Sequence, residues 1–528
     1  MEFMEKMKKT LNEEFNESVT ENGAIGYRTT GQAMLDFNYK VSSYRSKSED
    51  EIIKDFEKVW LDNKVLAMQF LFFIRDREEG LGERRLFRII IKHLANTEPE
   101  MVKKVVPVIS EYGRWDDLIE LFDTPLEEYI INEVIGKQIY DDVVNMTAKK
   151  PISLLAKWLP SINASSKEQR KKAKKIIKYS NIEKEEYRKL LSELRKYIDV
   201  TERKMCSNEW DKIKYENVPS RANLNYNNAF LRHDEERRRD FLSKVEKGEK
   251  QIHAGKLYPH DIVHKYMSNQ GWSTRLKERD TTLEELWKAL PQKEIANTLV
   301  VADGSGSMTC TIGNTNITAL DVANALAIYF AEHNKGQFKD KYITFSENPQ
   351  YVDFNGCMSL NAKIRKALAY DKCANTNIEK VFDLILGTAK KYNLSQEEMP
   401  ANILIISDME FDRCATSGNS GRWDRITPDK KLFAEISERY TNAGYKLPRL
   451  VFWNVNSRTG TIPLKENDLG VALVSGFSTN IAEMVMSDKL DPLEVLLDKI
   501  NSPRYERITK ILERRKFCRK LAIRLDEC

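Results

Sequence analysis

From Ser48 to about residue 290, apolar residues recur at the three- and four-residue spacings of helices rather than in alternation. Ile53, Phe56 and Trp60 make the first stripe, and Leu66, Phe70 and Phe73 the second. Ser48-Glu49-Asp50-Glu51 supplies a helix start: a capping hydroxyl, first-turn acids and a glutamate three residues on. Further helices are predicted over Leu86–Leu94, Met101–Tyr112, Asp116–Phe122 and Leu126–Met146. No strand pair and no Gly-rich phosphate loop interrupts the series. Helix follows helix through short turns, as in stacked helical pairs, without a regular period. The first 45 residues are polar and read as an extended arm.

Beyond residue 295 the pattern changes. Apolar runs at Thr298–Ala302, Tyr342–Phe345, Ile403–Ile406, Arg449–Trp453 and Val471–Val474 alternate with helical stretches. Those stretches are Ala319–Glu332, Ser359–Ala369, Ile378–Lys391 and Asp429–Ala443. Short, continuously apolar strands between helices predict a parallel sheet covered on both faces. From Thr479 the chain returns to helix and ends in a basic amphipathic tail with Arg514, Arg515, Lys516, Arg519 and Lys520. The expected fold class is α plus α/β. It comprises an arm over 1–45, an all-helical domain over 46–290, a doubly wound α/β domain over 295–480 and a helical tail over 481–528.

Composition narrows the function classes. The 528 residues suffice for two to four domains, and the net charge of +5 leaves any basic surface local. No apolar run approaches the roughly 20 residues of a membrane span, and no signal-peptide core follows Met1. Seven cysteines, without a C-x-x-C pair, suit reduced thiols in a cytoplasmic setting.

Candidate chemistry concentrates where the strands end. Val300-Val301-Ala302 runs into Asp303-Gly304-Ser305-Gly306-Ser307, one carboxylate and two hydroxyls on a glycine-rich loop. These are hard oxygen ligands, suited to Mg²⁺ or another divalent cation that keeps several waters. Thr376 precedes a predicted helix, and Asp408 ends the run Ile403-Leu404-Ile405-Ile406-Ser407, with Asp412 close by. In parallel sheets ligands gather at the carboxyl ends of strands. Asp303, Ser305, Ser307, Thr376 and Asp408 can therefore meet at one edge. On these three loops, residues 295–480 resemble a von Willebrand factor A domain with a metal-ion-dependent adhesion site. The resemblance implies that the five residues hold the ion and leave a position for an outside oxygen. That oxygen would come from an acidic side chain of a protein partner or from an RNA phosphate.

The helical half carries distinctive junctions. They are Arg75-Asp76-Arg77-Glu78-Glu79-Gly80-Leu81-Gly82-Glu83-Arg84-Arg85, Tyr112-Gly113-Arg114-Trp115-Asp116-Asp117-Leu118 and Lys157-Trp158-Leu159-Pro160-Ser161. With the A-type region behind them, they make nearly the whole chain resemble a family of Ro-like proteins of bacteria, phages and plants, similar more distantly to the Ro autoantigen family. The resemblance implies a ring or arc of HEAT-like helical repeats (the TROVE module) followed by the A domain, binding small non-coding RNA. No RNA-contacting residue of that family aligns onto this chain. Read from the residues, Gly113-Arg114-Trp115-Asp116 is a packed interhelical turn in which Trp115 is core and Arg114 a clamp, with an RNA contact by Arg114 as the other reading. The Arg75–Arg85 stretch is too charged for core and is either a solvated turn or part of a phosphate-contacting rim.

The clearest basic excess is Lys167, Arg170, Lys171, Lys172, Lys174, Lys175 and Lys178, over a buried stripe of Ala173, Ile176 and Ile177. Lys171, Lys172, Lys174, Lys175 and Lys178 are the candidate phosphate contacts, with Tyr179, Tyr187, Tyr197, Trp210 and Tyr215 nearby for stacking. The alternative is a solvated helix face whose aromatics are core. Arg232–Arg239 alternates charge and reads as a salt-bridged exposed helix. His260 and His264 share a helical spacing but lack the glutamate of a zinc protease helix. No nucleophile elbow or Walker loop occurs. A Mg²⁺ phosphodiesterase built on Asp303 and Asp408 would need a site arranged for water activation, whereas hydroxyls flanking one ion suit the holding of a ligand oxygen. The expectation is a non-catalytic RNA-binding protein. The alternative is a protein–protein scaffold whose A domain grips a partner carboxylate through Mg²⁺.

Overall fold

The computed structural model describes residues 16–21, 25–270, 273–345, 349–370, 378–410, 436–462, 471–485 and 491–513, with Met7 and Lys489. It is a mixed α plus α/β chain, helical first and sheet-bearing later. The chain forms two compact units. One is the stretch up to Asp62 with Leu257–Lys499; the other is Asn63–Lys256 with the residues from Ile500 on.

The sheet unit is built on six strands: β1 (Thr298–Asp303), β2 (Lys341–Phe345), β3 (Tyr351–Asp353), β4 (Asn402–Ser407), β5 (Arg449–Asn454) and β6 (Val471–Ser475). Their spatial order is β6-β5-β4-β1-β2-β3, parallel throughout except for β3, which runs antiparallel to β2. The parallel strands read as apolar runs because both faces are buried, unlike the edge strand β3, which exposes Tyr351. Leu299, Val301, Ile343, Phe345, Ile403, Ile405, Leu450 and Phe452 pack with Val381, Phe382, Ile385, Ile436 and Tyr440 from helices on one face. On the other face lies the helix Ala319–His333, where Phe330 meets Trp453 at 5.2 Å. Twelve of its fifteen residues are buried, which explains why it is apolar nearly all round.

Three stretches of this unit differ from the sequence expectation, one being the helix Glu49–Asp62, which was expected in the helical domain. Residues 16–45 are not an extended arm among the described residues: Glu17–Val19 pairs with Ile25–Tyr27, and Tyr27 bridges to Ile462. The helix Ala33–Tyr39 follows, burying Met34, Leu35, Phe37 and Tyr39. Four apolar side chains in six residues are enough to dock it on β6, where the Ser42 N–H donates to Ser475 Oγ at 3.1 Å. The helices Pro259–Tyr266 and Thr281–Lys288 also belong to the sheet unit. His264 Nδ1 lies 2.8 Å from Asp321 Oδ2, and Trp287 Nε1 donates to Glu332 at 2.7 Å.

In the helical unit, successive helices pack on one another, beginning with Lys64–Arg75 against Arg84–Thr97. Asn63 caps the first of these by accepting from Val65 and Leu66 N–H. The junction at Gly113 is held by ions. Asp117, fully buried, accepts from Arg75 Nε at 2.8 Å and Arg88 Nε at 2.6 Å. A Cβ at Gly113 would collide with that Asp117–Arg75 pair, so the position requires glycine. Arg114, expected to clamp neighbouring carbonyls, instead pairs with Asp116 and lies 4.1 Å above the Trp158 ring. Trp115 is only half-buried, so it is not core. Arg75 and Asp76 are buried, contrary to the expectation that their charged stretch stays outside. Asp76 accepts from Tyr505 OH at 2.8 Å and Arg504 Nη2 at 2.8 Å, and Arg75 spends its charge on Asp117. The helix over 503–513 thus packs into this unit, with Tyr505 edge-on to Phe73 and stacked on Tyr112. The basic residues from Arg514 to Lys520 lie outside the described residues.

Candidate functional site

Register assembles the site. In the parallel pairing of β4 with β1, Ile406 stands beside Ala302, which sets Ser407 level with Asp303. Ser407 Oγ donates to Asp303 Oδ2 at 2.5 Å, and Asp303 Oδ1 accepts from the Ser305 N–H at 2.9 Å. Both Asp303 oxygens are thereby oriented, and Asp303 is buried. The loop after β1 turns so that Ser305 Oγ and Ser307 Oγ come within 3.0 Å of each other. Ser307 also faces the Asp408 carboxylate and favours its charged form. Two carboxylates and two hydroxyls from two loops therefore face one point. Thr376 and Asp412 lie outside the described residues.

Asp408 is held at the end of β4 by a local turn. Met409 adopts φ 62°, at a cost of about 1–2 kcal/mol for a side chain with a Cβ. Its N–H bonds Ser407 Oγ at 3.0 Å. The turn sends the Asp408 carboxylate into the site and Glu410 away from it. Asp408 Oδ1 accepts the Glu410 N–H at 3.2 Å, while its buried Oδ2 has no hydrogen-bond partner. Burial first, and then the nearby Asp303 charge, push the Asp408 carboxyl up to about 7. A buried carboxylate oxygen without a hydrogen bond, beside a second carboxylate and two hydroxyls, is the environment a small hard cation would relieve. The donor set fits Mg²⁺, with Asp303, Ser305, Ser307 and Asp408 as the residues that would hold it. Among the described residues no group of three or more His, Cys, Asp or Glu side chains is gathered as metal ligands. His260 packs on Phe477 and Tyr258, and His264 on Asp321, so that pair has structural work.

Sequence reasoning missed three residues around this point. Arg458, in the loop after β5, places Nη1 3.3 Å from Asp408 Oδ2 and 3.4 Å from the Ser307 carbonyl. Its Nη2 pairs with Glu21 at 2.7 Å. Glu410, buried, accepts from the Arg458 N–H at 2.7 Å, the Thr459 N–H at 2.9 Å and the Glu21 N–H at 2.8 Å. Glu410 thus fixes the Arg458 backbone independently of its side chain. Nothing local in the sequence marks these contacts, which join positions 48 and 389 residues apart.

In the helical unit, the helix Lys167–Ser180 divides the lysine candidates between two faces. Lys172 is buried and pairs with Glu120 at 3.3 Å and Glu168 at 3.0 Å. Lys175 pairs with Asp123 and Glu127, whose carboxylates hold its ammonium above its usual range after burial is offset. These two hold the helix to its neighbours and are not open to a ligand. Lys167, Lys171, Lys174 and Lys178 are exposed and recur every three to four residues, forming one cationic stripe about 16 Å long. Lys171 has only a loose contact with Asp123 at 3.6 Å. Arg114 is half-buried and committed to Asp116 and Trp158.

Residues 297–510 match DUF7788, a domain of unknown function, and residues 162–295 match DUF2828, another. An uncharacterised protein of Acanthamoeba polyphaga mimivirus is 29% identical over 529 residues, covering 91% of this chain and 87% of the viral protein. The sequence similarity therefore spans the residues of both units. Among the described residues no helix is long and apolar enough to cross a membrane.

Proposed function

We propose that this chain is a non-catalytic RNA-binding protein of Ro-like type, acting in the cytoplasm. The helical unit is read as HEAT-like repeats of the TROVE kind, and the sheet unit as a von Willebrand factor A domain with a Mg²⁺ adhesion site. The observation that carries the metal part is the buried Asp408 Oδ2 without a hydrogen bond, beside Asp303, Ser305 and Ser307. The RNA part rests on the exposed stripe Lys167, Lys171, Lys174 and Lys178, whose spacing suits phosphates along one strand. When bound, the ion would supply a positive, water-exchanging position for an outside oxygen. Asp303 and Asp408 would neutralise it, and the Ser407 hydroxyl would keep Asp303 oriented.

A second reading has an observation of its own. Lys172 and Lys175 are spent on internal acids, which shrinks the cationic face from the five candidates expected. That favours a scaffold that grips a partner's carboxylate through the metal without RNA. Sequencing of the nucleic acid that co-purifies at moderate salt separates the two. A discrete set of small RNAs, lost on replacing Lys171, Lys174 and Lys178 by Gln, supports the first reading. RNA-free protein with a stoichiometric partner released by a chelator supports the second.

A further inference from the structure

Away from the metal centre, the helical unit contains an open cavity of about 610 Å³ between the Lys184–Ile198 helix, the Thr201–Cys206 helix and the 157–163 turn. Its lining carries four cations, Lys157, Arg188, Arg195 and Arg203, against one carboxylate, Glu202. Leu191, Val200 and Ile162 supply apolar wall, and Ser161, Ser192 and Asn163 supply neutral polar groups. A cationic set of side chains converging on a patch of apolar wall suits a small anionic ligand with an apolar part, and the volume falls in the range of small-ligand sites.

Arg195 is the unusual member. Its guanidinium donates to the Ala156 carbonyl at 2.8 Å, the Leu159 carbonyl at 2.7 Å and Ser161 Oγ at 2.7 Å. Those bonds use three of its five N–H donors and fix the plane of the group. None of them is to a carboxylate, so a part-buried positive charge stands in the cavity wall without a counter-ion of its own. Burial accordingly pulls the Arg195 guanidinium below its ordinary value. A charge held this way is costly unless something anionic completes it. Arg188 and Arg203 are within reach of solvent, and their partners are carboxylates outside the cavity lining. Arg188 pairs with Glu185 on its own helix, and Arg203 lies 4.0 Å from Glu209.

We propose that this cavity binds a nucleoside phosphate, with the phosphate at Arg195, Arg188 and Arg203 and the base against the Leu191, Val200 and Ile162 wall. A rigid guanidinium flanked by two mobile ones matches a phosphate's several oxygens and negative charge better than a lone carboxylate's. The apolar wall gives a flat base a surface that inorganic phosphate would not need. The ligand is either a free nucleotide or the phosphorylated end of an RNA strand. Only the second source rests on the RNA reading above.

The test is calorimetric titration of the full chain with 5′-AMP, with inorganic phosphate as competitor, alongside Arg188→Gln and Arg203→Gln. Arg188 is exposed and Arg203 half-exposed (56% and 39%), and an unchanged melting profile confirms that each variant is folded. Each should weaken 5′-AMP about tenfold or more, and 5′-AMP should slow modification of Cys206, which lines the cavity. A short oligonucleotide with a 5′-phosphate binding at least as well as 5′-AMP, and its 5′-hydroxyl counterpart binding less well, assigns the site to RNA ends. Binding of 5′-AMP with exclusion of both oligonucleotides assigns it to free nucleotides. No 5′-AMP binding, or binding unchanged in both variants, overturns the proposal. If the 5′-hydroxyl oligonucleotide still binds through the lysine stripe in that case, the RNA reading stands without this site.

Discussion

Replacement of Arg458 by glutamine should tighten Mg²⁺ binding. The guanidinium stands 3.3 Å from Asp408 Oδ2, the oxygen that lacks any hydrogen bond, so it already neutralises part of the charge a cation would use. At an effective dielectric of about 20, a unit pair at that distance interacts by about 5 kcal/mol. Two facts reduce what the cation recovers. Arg458 shares its charge with Glu21 at 2.7 Å, and its side chain is 22% exposed. A realised coupling of about 1–3 kcal/mol follows, between about 5- and 150-fold in affinity. The loop should survive, because Glu410 holds the Arg458 and Thr459 N–H groups whatever the side chain. Arg458→Lys, which keeps the charge, should change the affinity far less. Calorimetric titration with Mg²⁺ and Mn²⁺, on protein with an unchanged melting profile, gives the answer. Equal or weaker binding by Arg458→Gln would refute the view that this arginine and the ion compete for Asp408.

The remaining predictions concern pH, the buried ion network and the lysine stripe. Asp408 has a raised folded-state pKa, so its favourable contribution is present at low pH and is lost as pH rises through about 7. Metal-free protein should therefore lose melting temperature between pH 5 and 8, while Mg²⁺ should bind more tightly over the same interval; a flat profile in both would contradict the coupling of Asp408 to the site. Asp117→Asn leaves Arg75 buried without its counter-ion and should cost about 3–5 kcal/mol in urea unfolding, whereas a loss under about 1 kcal/mol would mean the junction is held by packing alone. Replacing Lys174 and Lys178 by Gln should weaken RNA and reduce the salt slope by about 0.7 per lysine, with no change in stability. The same change at Lys172 and Lys175 should lower stability instead, as read by thermal unfolding.

The strands were legible because burial on both faces removes alternation. The runs at Thr298, Ile403, Arg449 and Val471 stand out against any helical period, and the structure starts β1, β5 and β6 at those residues. The helix start at Ser48 was legible for a different reason: a cap is a local hydrogen bond between near neighbours in sequence. Residues 16–45 misled because polar composition hid Met34, Leu35, Phe37 and Tyr39, a short apolar group whose partner strand lies more than 400 residues away.

The same distinction governs the sites. Asp303, Ser305 and Ser307 share one loop and announce themselves, and register alone delivers Asp408 to them once β1 and β4 are neighbours. Charge is harder to read, because a lysine's role depends on what it faces. Lys171, Lys172, Lys174, Lys175 and Lys178 look alike in sequence. Yet Glu120, Asp123 and Glu127, about 50 residues earlier, claim two of them fully and leave an exposed stripe. Arg75 and Asp76 make the converse case. Their stretch is so dense in charge that it reads as surface, but Asp117 and Arg504, 42 and 428 residues distant, complete each charge and allow both inside. A buried charge is therefore evidence of a partner, and where the structure supplies no carboxylate, as at Arg195, the partner is a ligand from outside the chain.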